Sequence, residues 1–457
     1  MKKLIAFSAA AALLCAFTAC SSGKESSITM NEAKTSDDGK TIITVGNFGF
    51  YDSAFSDTLG FPQEFKVESR NYMKGDISFD DATRQLDLDM IQGDSPDVLF
   101  APPDKLYNYI RKGAMADMYE LMDEYGGLER EDFLPNVLEG LTINGELPAV
   151  VDSFFISTAV AKTKYVGEEF TNWTPEQAMQ FYNEMPEGMD FLGDEDRSLS
   201  FYMLRNPGKG CIDYTDYTCD FSGGSFTDTL RFCAEHPFVE GYVPDISTMP
   251  EEEMLEYFGG TKGTDRQLVY RIDISGFNHS LANDAYANLS REDFTFVGLP
   301  SSDGNGAKTY TNNISSQPYG ILKNSSSKEA AWKLVTQLLR YRKPLEKFAW
   351  DDTLGIPVLV SQFNIDYDRS SSYHNSINCD LYPPGEWEEE KAFRITDEVK
   401  EKLRDYIFSV KFDIYYPDEL SYFIDEECDP VIAGERTPEE AVRILDDRIT
   451  TFLSERS

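Results

Sequence analysis

The chain has 457 residues, 41% of them apolar and 13% aromatic, enough to build two large lobes around sizeable cores. Acidic residues outnumber basic ones 80 to 42, for a formal charge of −38. Such a surface repels phosphate backbones, which excludes nucleic acid as a partner, and the charge reads as solubility outside the cell.

The first stretch, MKKLIAFSAAAALLCAFTAC, opens on Lys2 and Lys3 and runs apolar from Leu4 to Phe17, broken only by Ser8. A bilayer-spanning helix needs about 20 apolar residues, so this shorter run predicts a secretory signal peptide over residues 1–19. Thr18 and Ala19 directly before Cys20 resemble the lipobox of bacterial lipoproteins, with Phe17 where Leu is usual. That resemblance implies cleavage before Cys20 and a diacylglycerol on its sulfur, and two acyl chains suffice for stable anchoring to a membrane. Residues 20–40 are then the lipidated cysteine and a flexible tether, too poor in apolar side chains to bury a core. No later segment is long and apolar enough to span a bilayer.

Residues 41–52 begin as a β-branched strand that stops at Gly46 in an aromatic loop. Leu86, Met90 and Ile91 predict one face of a helix that Gly93 and Pro96 end. A buried strand, PDVLF, follows at 96–100, and Asp104 stands ahead of the next helical turn. Asp97 in that segment is read as structural, capping the strand or bonding its backbone. Strand, helix, strand, helix in this order predicts an α/β domain with a parallel sheet. Residues 146–162 form a second extended segment, apolar on both faces. Thr174, Pro175 and Gln177 predict the cap, first turn and capping-box partner of a helix. Residues 268–280 are a buried strand ending at Gly276, and 294–313 a strand leading into a Gly/Ser/Asn loop. Residues 317–339 read as a strand, a Ser-rich turn, and a helix with Trp332 on its core face. Thr437, Pro438 and Glu440 open a last amphipathic helix with Ala441, Leu445, Ile449 and Phe452 on one side.

No constellation for catalysis stands out. There is no G-x-S-x-G elbow, no H-E-x-x-H and no phosphate-binding loop, and the three histidines lie in unrelated contexts. Carboxylate pairs for glycoside hydrolysis remain open, but among 80 acidic residues a plausible pair carries little information. Five cysteines follow Cys20, namely Cys211, Cys219, Cys233, Cys379 and Cys428. An odd number leaves at least one unpaired within the chain, the connectivity stays open, and the uneven spacing is not that of a zinc site. No catalytic residue, metal or cofactor is expected.

Four segments, in order, resemble the extracellular solute-binding lipoproteins of bacterial ABC importers, in the carbohydrate-type group related to maltose-binding protein. They are IQGDSPDVLFAPPDKL, KGAMADMYELMDE, VGLPSSDG with QPYGILKNSSSKEAAWKLVTQLL, and GERTPEEAVRILDDRITTFLSE. The resemblance spans most of residues 41–457 and is poor over 186–265 and 360–430. It implies an α/β fold of two hinge-connected lobes, each a mostly parallel sheet flanked by helices. Lobe 1 would hold residues 41–151 and 301–345, and lobe 2 residues 152–300 and 346–457. The chain would cross between them near Val150–Ser153, near Pro300 and around residues 343–350. It implies capture of a small solute, expected to be a mono- or oligosaccharide, between closing lobes. It further implies delivery to the transmembrane subunits of an ABC permease by a monomer on the outer face of the cell membrane. The alternatives are a binding protein for peptide or another polar solute, an exported glycan-acting enzyme, or a lipoprotein that keeps the fold as a structural or sensing module without transport.

Sugars present apolar ring faces and a belt of hydroxyls, so their sites need aromatic platforms and carboxylate acceptors. Phe48, Tyr51 and Asp52 follow the first strand, and Phe154 flanks the first crossing together with Phe155. By resemblance, Asp104 and Asp152 fall where maltose-binding protein has acidic residues that contact sugar. The segment SGFN resembles the family's tryptophan-bearing segment, with Asn278 in the tryptophan's place and Phe277 before it. Trp350 is a candidate from its position near the third crossing.

Overall fold

The structure, a computed structural model, describes residues 29–49, 64–75, 77–168, 172–192, 203–204, 206, 208, 210–213, 218–236, 267–276, 293–311, 317–340, 355–368, 397–414 and 418–454. Two sheets organise it, each with helices against it, and together they form the two-lobed α/β fold expected.

The first sheet is built from β1 (Lys34–Thr35), β2 (Thr41–Asn47), β3 (Phe65–Asn71), β4 (Val98–Phe100) and the late strand Tyr319–Ile321. β2 pairs in parallel with β3 and β4, while β1 and the late strand join antiparallel. β1 lies inside the stretch expected to be tether, so the ordered lobe starts earlier than the composition suggests. Asn31 donates to Ser95 O (2.8 Å), and Lys34 pairs with Asp94 (2.7 Å), fastening this N-terminal segment to the turn before β4.

Helix α1 (Phe79–Gln92) is capped by Ser78, which accepts from Asp81 N, and is ended by Gly93 at φ +74°. Its buried face carries Ala82, Leu86 and Asp89, whereas Ile91, expected inside, is 71% exposed. Asp89 is buried because neighbours satisfy it: Arg70 (3.0 Å), the Tyr72 hydroxyl (2.9 Å) and Gln85 (2.8 Å) all donate to its carboxylate. α2 (Pro103–Arg111), α3 (Met118–Tyr125) and α4 (Pro135–Leu141) follow. Asp117 caps α3 and also accepts from Leu147 N, coupling that helix to the chain leaving α4.

The second sheet is arranged around β5 (Ser153–Lys162). After it come α5 (Pro175–Glu184), the hairpin β6 (Ile212–Asp213) and β7 (Thr218–Cys219), and α6 (Phe226–Glu235). Then follow β8 (Val269–Ile274), β9 (Phe294–Phe296), β10 (Lys308–Tyr310), the late strand of the first sheet, β11 (Tyr319–Ile321), and α7 (Lys328–Arg340). The chain closes with β12 (Ile356–Pro357), α8 (Asp397–Ser409), α9 (Asp418–Ile432) and α10 (Pro438–Ser454). β8, β9, β10 and β12 all pair antiparallel with β5. The parallel character expected of both lobes therefore belongs to the first. In the second sheet, each described strand runs antiparallel to the same central strand, while β6 and β7 pair only with each other. Thr174 and Gln177 form the expected capping box of α5, and Thr437 accepts from Glu440 N at the start of α10.

The crossings follow from these pairings. Val150 exchanges backbone hydrogen bonds with Tyr319 of the first sheet (2.8 and 2.9 Å), and three residues later Ser153 pairs with Pro357 of the second. The chain returns between Tyr310 and Tyr319 rather than near Pro300, because β10 pairs with β5 and so belongs to the second sheet. It crosses again between Arg340 and Ile356, and most of that interval lies outside the described residues.

Asp97 ties three pieces of the first lobe. Its carboxylate accepts from Thr44 N (2.9 Å) on β2 and from the Ser325 hydroxyl (2.6 Å) ahead of α7, while its own N–H, just before β4, donates to Thr44 O (2.8 Å). Asp97→Ala is predicted to cost about 3 kcal/mol in denaturant unfolding, since two buried donors lose a charged acceptor. Burial pushes the Asp97 carboxyl above the usual aspartate value, against the opposing Ser325 and Thr44 bonds. A raised folded value favours the folded state most below the unfolded pKa of about 3.9 and is lost as the pH climbs through the folded one. Asp97→Asn keeps the size without the charge, so its stability is predicted to lack that decline when unfolding is measured across this window.

Candidate functional site

Side chains of β5 alternate between two faces. Ile156 and Val160 point into the larger core, Phe154 meets Phe412 edge to face (5.1 Å), and the Thr158 hydroxyl bonds that of Tyr406. The opposite face begins with Phe155 and Ser157. Register places Tyr310 directly opposite Phe155, and their rings stack at 5.3 Å with 19° between planes. Ser157 lies between Asp273 on β8 and Lys308 on β10, and Arg271 lies opposite Ala159. One face of the second sheet, at its crossing end, thus gathers two stacked rings, a carboxylate, a guanidinium and an ammonium.

The electrostatics are coupled. Burial and the nearby Asp273 push the Tyr310 phenol upward, and Arg271 pulls it partly back, so its hydroxyl stays a protonated donor at neutral pH. Asp152 sits at the crossing itself, half-buried, with its backbone oxygen accepting from Val358 N (3.2 Å). The backbone at Gly355 closes this corner. It adopts φ +71°, and a Cβ there would lie 2.8 Å from Phe154 O and 3.2 Å from the Phe155 ring. Gly276, at the end of β8, comes up against Gly355 O. Phe155 is itself only 6% exposed, so the accessible part of the stack is Tyr310, flanked by one acceptor and several donors, a setting that suits a polar ring with apolar faces. Among the described residues no group of three or more His, Cys, Asp or Glu side chains could hold a metal ion.

The residues expected from sequence are distributed unevenly over this picture. Phe48 is only 1% exposed and stacks on Phe79 (6.1 Å) beside Tyr72, and Phe154 is fully buried; both rings are core in this structure. Their position next to strand ends is right, but each turns inward, because an aromatic cluster waits there. Asp104 lies in the first turn of α2, paired with Lys105 at 3.0 Å, in the first lobe. Of the two expected carboxylates among the described residues, Asp152 is the one that precedes the strand of the Phe155–Tyr310 stack. Cys20, Tyr51, Asp52, Phe277, Asn278 and Trp350 lie outside the described residues. Tyr310, Asp273, Arg271 and Lys308 were not anticipated. The signal for Arg271 and Asp273 is the alternation in VYRIDI, where they share the face that Tyr270 and Ile272 leave; Lys308 and Tyr310 have none.

Two α/β sheets exchanging strands across a short junction define the fold class of the two-lobed solute-binding proteins. The chain is similar in structure to the sugar-binding protein MalE from Xanthomonas citri, with TM-score 0.54 and 14% identity over 91% of this chain and 98% of that one. It is also similar to an extracellular solute-binding protein family 1 from Alicyclobacillus acidocaldarius, with TM-score 0.50 and 13% identity over 92% and 100%. At such identity the likeness is one of fold. No family model matches the chain, and no curated protein matches it in sequence.

Gly355→Ala is predicted to destabilise the chain by about 2–3 kcal/mol, combining left-handed strain with a clash against backbone that cannot swing away. Urea unfolding of the variant measures this, and a neutral result would mean that the corner opens freely.

Proposed function

We propose that the chain is a substrate-binding lipoprotein of an ABC importer. It is exported by its signal peptide, anchored through Cys20 to the outer face of the cell membrane, and carries a carbohydrate to a permease without altering it. The observation that supports this most is the placement of the Phe155–Tyr310 stack with Asp273, Arg271 and Asp152 where the chain passes between lobes. Rings stack on the apolar faces of a sugar, and the carboxylates accept from its hydroxyls. The fold shared with a protein described as sugar-binding points the same way. Asp104, from the first lobe, and the aromatic and polar candidates Tyr51, Asp52, Phe277, Asn278 and Trp350 would complete the cleft. A ligand touching both lobes only when they close draws the population toward the closed form.

A thermal-unfolding screen of the mature chain against mono- and oligosaccharides, with amino acids and short peptides as contrast, tests the reading. A ligand at 100 times its Kd adds about 2.7 kcal/mol to the folded state, a rise of a few degrees in Tm for a chain this size. A rise with a sugar series recovered unchanged is expected. A response to peptides alone would replace the ligand class, and turnover of a glycan would replace the function. Asp152→Asn and Asp273→Asn are each predicted to weaken sugar binding about tenfold by calorimetry, the weight of one charge-assisted hydrogen bond.

A further inference from the structure

The second lobe has a core of its own, distinct from the one shared across the junction. It contains Trp173, Phe221, Phe226, Leu230 and Cys233 on one side and Leu420, Ile424 and Cys428 on the other. α6 and α9 pack directly against one another there. Their register can be read at Gly208, where a Cβ would meet Ile424 Cδ1 at 2.6 Å and the Phe226 ring at 3.3 Å. Cys233 on α6 and Cys428 on α9 line this same core, each from its own side of the contact between the two helices. Both thiols are buried, at 1% and 3% exposure, and both are free in this structure.

We propose that Cys233 and Cys428 become joined by a disulfide in the exported chain, clasping the C-terminal helices onto α6. The other nearby pair does not compete. In the β6–β7 hairpin Ile212 stands opposite Cys219, and Asp220 N donates to Cys211 O, which makes Cys211 and Asp220 the next opposed pair. Neighbouring pairs in an antiparallel ladder point to opposite faces, so Cys211 and Cys219 diverge. The Cys219 sulfur is turned instead toward α10, at 3.4 Å from the Thr450 hydroxyl.

The chemistry sets when the bond forms. Burial pushes the Cys233 thiol up to about 12, and burial together with Cys233 raises Cys428 as well. A folded lobe therefore holds almost no thiolate to attack an incoming disulfide. The exchange belongs to the folding chain. One thiolate displaces a thiolate from an external protein or glutathione disulfide, giving a mixed disulfide. The second cysteine then displaces the remaining half. Two chain thiols are oxidised, one external disulfide is reduced to two thiols, and two protons pass between them. Once the helices pack, the bond is shielded, and it restrains the unfolded chain by closing a long loop.

The mature chain is refolded in a mixture of reduced and oxidised glutathione, denatured without reductant, alkylated and digested for mass spectrometry. The expected product is a peptide pair joining Cys233 to Cys428, with Cys211 and Cys219 alkylated. A reductant is expected to lower the Tm of the refolded chain by several degrees and to leave the double variant Cys233→Ala/Cys428→Ala unmoved. Alkylation of Cys233 and Cys428 in the refolded chain, or their joining to other cysteines, overturns the proposal. Because the refolding mixture supplies the oxidant, that result is independent of where the cell places the protein and of what the cleft binds.

Discussion

The second lobe hangs on a single strand. β5 carries β8 and β12 along one edge and β10 and β9 along the other, and it begins three residues after the chain leaves the first sheet at Val150. That short interval leaves little freedom in where the strand starts, and the pleat then dictates which side chains face which way. A slip of one residue would exchange Phe154 and Phe155 between the two faces of the strand. The packing of Phe154 on Phe412 and the bond between Thr158 and Tyr406 hold the register against such a slip. The candidate site therefore follows from the crossing as much as from its own residues.

Carboxylates in this acidic chain fall into two groups that their partners distinguish. Asp89, Asp97 and Asp117 each bind donors from at least two separate segments, and their role is to fasten the first lobe. Glu427 does the same in the second lobe, taking Arg436 and Arg448 at once. A buried charge with its donors in place holds geometry, and removing one partner is costly even where the pair adds little net stability. Asp152, just before β5, and Asp273, on β8, lie instead at the end of the second sheet that carries the aromatic stack. Acidity alone could not have separated these groups among 80 such residues.

Local chemistry was legible in the sequence wherever a few neighbouring residues determine the outcome. The box of Thr174 and Gln177, the cap at Thr437 and the burial of Trp332, whose indole donates to Gly126 O at 2.7 Å, all follow from short patterns, whereas Asp97 is structural as expected but bonds β2 and Ser325 rather than its own strand. The apolar extended segment that becomes β5 was legible too. What escaped were pairings decided at long range. Lys308–Tyr310 spans three residues, too few for any periodicity, and becomes a strand because an edge of β5 lies open to it. The helix face of α1 was misread at Ile91 because Asp89, satisfied by β3 and its following turn, took a buried position that hydrophobicity would have denied it. Phe48 and Phe154 show the same limit: a strand end marks where a ring may be used, and packing decides on which side.

The junction is also where a movement of the lobes would be absorbed most easily. Between the Val150–Tyr319 pair and the Ser153–Pro357 pair lie only Val151 and Asp152, joined across by one bond from Val358 N to Asp152 O. Pro357 has no N–H to give β5, so the ladder is thinnest at this end of the strand. A rotation shared among the backbone angles of these few residues leaves both sheets intact, since each closes its ladder outside the interval. The same residues carry Asp152 and lead directly into Phe155. On the proposed reading, the ligand's contacts and the hinge occupy one short segment of chain, so a change in lobe angle moves the aromatic face and the carboxylate together. Binding energy gained at that face then acts directly on the hinge, and the core that both sheets share has to adjust with it.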